Sequence, residues 1–285
     1  NEYMGVRGIF EEGLTGNTLE GCYIAGIYFK EKTSFEWRRP AFPSHMNSMA
    51  HTANWLKIEL NVGGEEFRMD SSSFSGYSRI LDMRTALLNR ELVFETGSGD
   101  RTRLKWERFL SLSDRHLGAQ RFSIEALNHR KRVTISFQID ASKGNQTEVT
   151  KTGVHSDCVS AVSKAGEMSI IMKVRSTGQF CMHRMIVSND PGPVEMEEKF
   201  SVSGKTVECA RSFIPEKNRE YVFIKYISVW TSRDAGFPHG LIPKAQNGIE
   251  TDPGDEKKIM EYLRANSERH ADALSRTSYA ELRKA

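Results

Sequence analysis

Hydrophobic and polar residues alternate along much of the chain. In residues 56–62, Leu56, Ile58, Leu60 and Val62 fall on one face and Lys57, Glu59 and Asn61 on the other. That period of two predicts a half-buried β-strand. Gly63-Gly64 follows, and residues 65–69 read as the return of a hairpin. The alternation recurs at Val133, Ile135, Phe137 and Ile139. It appears again through residues 221–231, where Val222, Ile224, Tyr226 and Trp230 share a face. Residues 168–174 form a continuous apolar-rich run, which predicts a strand buried on both sides. Turn signals separate these runs: Gly97-Ser98-Gly99-Asp100, Lys143-Gly144-Asn145, Asn189-Asp190-Pro191-Gly192 and Ser203-Gly204-Lys205. Many short strands with such punctuation predict an antiparallel β-sandwich. The βαβ alternation of a parallel sheet is missing from the pattern.

The period changes after Asp234. Residues 235–252 carry Pro238, Pro243 and three glycines and read as a linker. Residues 255–266 then predict a helix, with Ile259, Tyr262 and Leu263 on one face. Ser278 and Glu281 have capping-box spacing, so a second helix is predicted to open there, with Tyr279 and Leu282 starting its apolar stripe. The expected organisation is a sandwich over residues 1–234 and a linker with helices over 235–285.

Composition narrows the function classes. The chain has 285 residues, and 40 Lys+Arg face 37 Asp+Glu for a net charge of +3. A dedicated nucleic-acid binder usually carries a far larger basic excess. No run approaches the roughly 18 apolar residues of a membrane helix, so no membrane partner is expected. The start, Asn1-Glu2-Tyr3-Met4, has neither a basic nor a long apolar stretch and does not read as a secretion signal. Cys22, Cys158, Cys181 and Cys209 are far apart and form no CxxC pair. They read as buried thiols of a reducing, cytoplasmic compartment, and a zinc site of the usual spacing is excluded. Asn145-Gln146-Thr147 matches a glycosylation sequon but reads as a polar loop.

Candidate chemistry is sparse. The eight histidines show no HExxH spacing, so no metal site is expected, and neither a GxSxG elbow nor a phosphate-binding loop is present. Residues 79–132 are rich in arginine, but Asp82, Glu91, Glu95, Asp100, Glu107, Asp114 and Glu125 are interleaved. Planar guanidinium–carboxylate pairing makes an ion-pair network the favoured reading over a phosphate-binding surface. Glu11 and Glu12 are adjacent. On a strand they would point to opposite faces, so an ion-paired or solvated loop is expected unless the backbone turns there. Tyr28, Trp37, Trp55 and Tyr77 are candidate sugar-stacking aromatics, though burial is the commoner fate of such rings.

Several segments carry a family resemblance in order along the chain. The first is Tyr3-Met4-Gly5-Val6-Arg7-Gly8-Ile9-Phe10-Glu11-Glu12, followed by Gly21-Cys22-Tyr23-Ile24-Ala25-Gly26-Ile27-Tyr28 and Asn54-Trp55-Leu56. Next come Tyr77-Ser78-Arg79-Ile80-Leu81-Asp82-Met83-Arg84 and Arg108-Phe109-Leu110-Ser111-Leu112-Ser113-Asp114-Arg115-His116-Leu117. Gln120-Arg121-Phe122-Ser123-Ile124 and Val229-Trp230-Thr231-Ser232-Arg233-Asp234 complete the series. Together they resemble the N-terminal part of glycoside hydrolase family 65, the maltose, trehalose and kojibiose phosphorylases.

The resemblance implies a mainly β fold: a large antiparallel β-sandwich like that of galactose mutarotase, followed by a short helical linker. It implies that an (α/α)-barrel with the catalytic Glu and the phosphate site lies outside this chain. A start at Asn1 without Met and a helix cut at Ala285 are then expected marks of a domain separated from its barrel. In the complete enzyme an acid protonates the glycosidic oxygen while inorganic phosphate, a co-substrate, attacks the anomeric carbon from the opposite face. No other cofactor is implied, and no residue of this chain is assigned to catalysis. The implied partners are the barrel, a second copy in a homodimer and a disaccharide. Tyr3, Arg7, Glu12, Tyr28, Trp55, Arg79, Asp82 and Arg84 are the implied barrel-facing or carbohydrate-binding candidates. Two arginine–aspartate sets, Arg79–Asp82–Arg84 and Arg108–Asp114–Arg115, are expected to be ordered by mutual salt bridges. The expected role is a scaffold for the barrel. The alternatives are a stand-alone carbohydrate-binding module and mutarotase-like catalysis, for which no His and Glu pair is evident.

Overall fold

In a computed structural model, the described residues are all except 17, 34–42, 146–152, 191, 194, 239–240, 242–251 and 285. Two antiparallel sheets face each other across one core. The smaller is built from β5 (Ile58–Val62), β6 (Glu65–Glu66), β11 (Val133–Asp140), β15 (Glu197–Ser203) and β16 (Thr206–Phe213), in the order β15-β16-β11-β5-β6. The larger has eight strands. They are β7 (Ser73–Asp82), β8 (Leu87–Glu95), β9 (Arg101–Leu110), β10 (Leu117–Ala126), β12 (Ser156–Lys164), β13 (Glu167–Val174), β14 (Phe180–Asn189) and β17 (Glu220–Thr231). Their order is β12-β13-β14-β17-β10-β9-β8-β7, so β12 and β7 are its edges. Two hairpins precede the sheets in sequence: β1 (Met4–Arg7) with β2 (Gly21–Ile24), and β3 (Tyr28–Lys32) with β4 (His45–Met49).

The alternation places the core. Ile58, Leu60 and Val62 of β5 and Val133, Ile135, Phe137 and Ile139 of β11 are buried on the inner face of the small sheet. They meet Phe94, Leu104, Trp106, Phe122 and Phe223 from the large sheet. Phe137 and Phe223 touch across the gap, with ring centroids 5.7 Å apart. Each such side chain contributes roughly 1.5–3 kcal/mol by leaving water. The run at 168–174 is a doubly buried strand, β13, as its composition predicts.

Residues 221–231 depart from the half-buried expectation. Val222, Ile224, Tyr226 and Trp230 do share a face, but it is the outer one, while Tyr221, Phe223, Ile227 and Val229 fill the sandwich. The outer face is covered by α1 (Pro253–Leu274). This helix starts earlier and runs further than the predicted 255–266. The Asp252 carboxylate accepts from Gly254 N at 2.7 Å and Pro253 occupies the first turn, the two devices that open a helix. Ile259, Leu263, Ser267, Ala271 and Leu274 then form its buried stripe. Ile259 and Leu263 pack against Ile171, Phe180 and Met182 of the sheet. A short helix, α2 (Tyr279–Leu282), begins with the predicted reciprocal Ser278–Glu281 cap. Its Tyr279 and Leu282 lie against the cluster containing Leu87, Phe109 and Leu274. Most of the predicted linker, 235–252, lies outside the described residues.

Candidate functional site

The segments that carry the family resemblance meet at one end of the sandwich. After β1 the chain turns: Gly13 N donates to Phe10 O at 3.1 Å. The turn swings Glu11 and Glu12 to the same side, and both are buried. Adjacent carboxylates would diverge on a strand; here the backbone turn makes them converge on Arg90 of β8. Arg90 grips Glu12 with both terminal nitrogens, at 2.8 and 2.5 Å, and reaches Glu11 Oε2 at 3.0 Å. Arg108 of β9 holds the other Glu11 oxygen at 3.0 Å. The Arg90 guanidinium also lies 3.9 Å from the Trp106 ring centroid.

This is a closed charge cluster. Burial alone would raise the pKa of Glu11, but Arg90 and Arg108 hold it below its ordinary value. Burial and the neighbouring Glu11 keep that of Glu12 raised, although the Arg90 hydrogen bonds pull it down. Neither carboxylate is open to a sugar, so Glu12 is not a carbohydrate ligand in this structure.

Beside the cluster, an open cleft of about 590 Å³ is lined by Trp55, Arg79, Leu81, Leu88, Arg108 and Leu112, among others. Its lining contains no Asp, Glu or His. General acid–base work on a glycoside needs carboxylates flanking the bond, and none is in place here. Arg79 projects from β7 with its guanidinium 4.7 Å from the Phe10 ring centroid. Trp55 is a wall of this cleft and is buried.

A second knot joins other resembling segments. Tyr3 is buried, and its hydroxyl donates to Asp234 Oδ2 at 2.8 Å. Arg115 lies over the Tyr3 ring and 3.7 Å from Asp234 Oδ1. His116 stacks on Trp230 at 3.9 Å. Asp114 pairs with His270 of α1 at 2.7 Å, and the other ring nitrogen of His270 meets Ser228 Oγ at 2.7 Å. The residue types are those of a nucleophile triad, yet Ser228 is buried and its oxygen also accepts from Trp230 Nε1. The arrangement clips α1 to the sandwich and leaves no path for a substrate to the serine.

The remaining candidates are dispersed. Arg7 is exposed and donates to Leu19 O and to the Tyr23 hydroxyl, at the rim of a cleft of about 450 Å³ shared with Tyr23, Phe29 and Met49. Tyr28 is partly exposed nearby, and its carbonyl accepts from Thr177. Tyr77 is exposed on β7. Asp82 and Arg84 sit at the tip of the β7–β8 hairpin, where the Arg84 backbone amide donates to Asp82 at 2.9 Å. Trp37 lies outside the described residues.

The expected salt-bridge sets are not formed. Among the described residues, neither Arg79 nor Arg84 has a carboxylate within salt-bridge distance. Arg108 pairs with Glu11 and Asp114 with His270. The reason is strand geometry: residues 79 and 82 project from opposite faces of β7. Elsewhere in the arginine-rich stretch the ion-pair reading holds, with Arg103–Glu125, Arg121–Glu107 and Arg132–Glu197. Asn145 of the sequon is buried, and its amide is spent on His51 N and Met49 O. Three of the four cysteines are buried, and burial pushes the Cys22 and Cys181 thiols up to about 12.

Arg90, one of the arginines expected in an ion-pair network, is the centre of the charge cluster. His270, which fixes the helix, was missed in the sequence. The interleaving of Arg90 with apolar neighbours on β8 was a signal that it points inward; His270 stands on no motif.

Comparison with known proteins identifies these segments. The sequence model "Glycosyl hydrolase family 65, N-terminal domain" matches residues 1–272. Maltose phosphorylase of Bacillus subtilis is 29% identical over 238 residues, 82% of this chain and 30% of that protein. Kojibiose phosphorylase of Caldanaerobacter subterraneus subsp. tengcongensis is 27% identical over 92% of this chain and 34% of its own length. Alpha,alpha-trehalose phosphorylase of Thermoanaerobacter brockii is 27% identical over 92% of this chain and 36% of its own. The chain therefore spans about a third of the length of these relatives. A solved human-microbiome structure described as a kojibiose phosphorylase superposes on all of this chain with a TM-score of 0.73 at 19% identity, covering 33% of that protein. That likeness confirms the fold of the two sheets. By its sequence, the chain belongs to glycosyl hydrolase family 65, matching the family's N-terminal domain.

Proposed function

We propose that this chain is the non-catalytic N-terminal domain of an inverting disaccharide phosphorylase. The full enzyme would transfer a glucosyl group from an α-linked glucose disaccharide to inorganic phosphate, giving a β-sugar 1-phosphate. The acid that protonates the leaving oxygen belongs to a separate catalytic body. This domain packs on that body and supports the rim of its site and a homodimer, in a cytoplasmic enzyme needing no cofactor beyond phosphate.

One observation carries the reading: the carboxylates within the resembling end of the sandwich are spent on structure. Glu11 and Glu12 are salt-bridged to Arg90 and Arg108, Asp234 is hydrogen-bonded by Tyr3 and lies beside Arg115, and Asp114 is held by His270. Another groove, of about 750 Å³, does carry Glu195, Glu197 and Glu216. Glu197 and Glu216 are solvated and paired with Arg132 and Arg219, unlike a general acid kept protonated by an apolar site.

The test is an assay of the 285-residue chain with maltose, kojibiose or trehalose and phosphate. No sugar 1-phosphate should form, whereas the chain joined to its catalytic body should produce it. Turnover by the chain alone would overturn the reading. A second reading, a carbohydrate-binding module, draws on the Arg7–Tyr23 cleft, whose volume suits a small sugar. Saturable heat with a disaccharide, lost in Tyr23→Ala, would favour it.

A further inference from the structure

We propose that the β7 side of the 590 Å³ cleft is the surface on which the catalytic body of the same polypeptide docks. The docking face would be apolar and present a carboxylate to Arg79. This rests on the reading just given and adds to it the place of contact and the chemistry of the partner.

Every residue of β7 is exposed, although the strand is ten residues long and fully part of the sheet. On the cleft side Leu81 is 60% exposed and Leu112, across from it, 74%. Met83 in the turn is 86% exposed, and Ile80, 62% exposed, projects to the opposite face of the strand. Exposed apolar side chains that share one cleft mark an interaction surface. Leu81 and Arg79 project to the inner side of the large sheet, opposite Leu88 and Arg90. There the small sheet does not extend far enough to cover them, because its last strand, β6, has only two residues.

Charge selects the occupant. Arg79 and Arg84 form no salt bridge among the described residues, and Arg108 also lines the cleft. A second copy of this surface would oppose arginine to arginine, a costly juxtaposition. Strand addition at the edge is also disfavoured. The register slips between Ser75 and Ser78 around Gly76, whose φ is +63°. Such a bulge turns an edge away from pairing. What fits is an apolar face with an acidic side chain. The relatives supply the room for it, since about two thirds of their length lies outside the part matched here.

The experiment compares hydrogen exchange at residues 78–84 in the 285-residue chain and in the protein expressed from the full reading frame. The ladder amides of β7 should exchange at least about tenfold more slowly in the longer protein, because docking suppresses local opening. Leu81→Asp and, separately, Leu112→Asp should abolish that added protection. They should leave the melting temperature of the 285-residue chain unchanged and lower that of the longer protein by about 3 °C or more. Equal exchange in the two proteins overturns the proposal, as does a reading frame encoding no further domain. Protection of the 285-residue chain that grows with its own concentration overturns it in favour of self-association. Phosphorolysis by the longer protein without β7 protection would retain the general reading and reject this surface. Protection without phosphorolysis would do the reverse.

Discussion

The two edges of the large sheet are finished differently. β12 is mostly half-buried, is bulged between Cys158 and Ser160, and is tied to its surroundings. Arg264 of α1 donates to Ser160 Oγ at 3.0 Å, and Ser163 donates to Glu208 O of β16 at 2.6 Å. β7 has a bulge too, but all ten of its residues are exposed, and among the described residues it pairs only with β8. Exposed apolar edges are liabilities that proteins cover or blunt. The contrast teaches that burial inside this chain completes one side of the sheet and leaves the other exposed. Charge follows the same division: Arg90, one strand in from the open edge, is salt-bridged to two carboxylates, whereas Arg79 opposite it on β7 has none within salt-bridge distance among the described residues.

Substitutions sharpen that division. Arg90→Ala should be the most damaging, at about 3–5 kcal/mol, because it strands Glu11 and Glu12 without their shared cation. Urea unfolding of the 285-residue chain reads this out. A loss below about 1 kcal/mol would mean that Arg90 is no more structural than the rim arginines.

Leu263→Ala, on the covered side, should cost about 2–5 kcal/mol through the cavity left against Phe180 and Met182. Near-neutral unfolding would show that α1 is not part of the folded unit. His270→Ala should be milder, at about 1.5–3 kcal/mol, since it removes a hydrogen bond to a charged group and leaves Ser228 short of a partner. Arg84→Ala, at the open rim, should change the stability of this chain by less than about 0.5 kcal/mol. The same substitution in the longer protein is expected to weaken assembly before chemistry.

The acid response follows from Glu11. Its pKa in the fold is depressed below the unfolded value, so its contribution is fully present above about pH 4.3. It is lost as pH falls through the depressed value. A Glu11→Gln chain should therefore be weaker than the parent at neutral pH and show a flatter decline below pH 4.3. Parallel decline of the two chains would remove Glu11 from the acid response.

Much of the fold was legible because a two-residue period leaves little choice of which face is buried. Val133, Ile135, Phe137 and Ile139 announce the core face of β11, and Ser278 with Glu281 announces the cap of α2. The period could not say which of two faces looks into the sandwich. The outer row Val222, Ile224 and Tyr226 is as apolar as the inner row of β17, and only the covering helix explains it. β7 was hidden for a related reason: its alternation has no buried partner to match. At the site, the motif segments gather at one end of the molecule, Tyr3, Trp55 and Arg79 among them. They gave the wrong pairings, because ion pairs depend on which strands become neighbours. Glu11 and Glu12 reach one arginine 78 residues away through a turn that no local pattern encodes.

The difference between the two edges can be measured directly. Native-state hydrogen exchange of the 285-residue chain, in dilute solution, compares the ladder amides of β7 with those of β12. The open-edge account expects β7 to exchange faster by about two orders of magnitude, with low protection confined to residues 73–84. Equal protection of the two strands under those conditions would contradict it, because β7 would then already be closed within this chain.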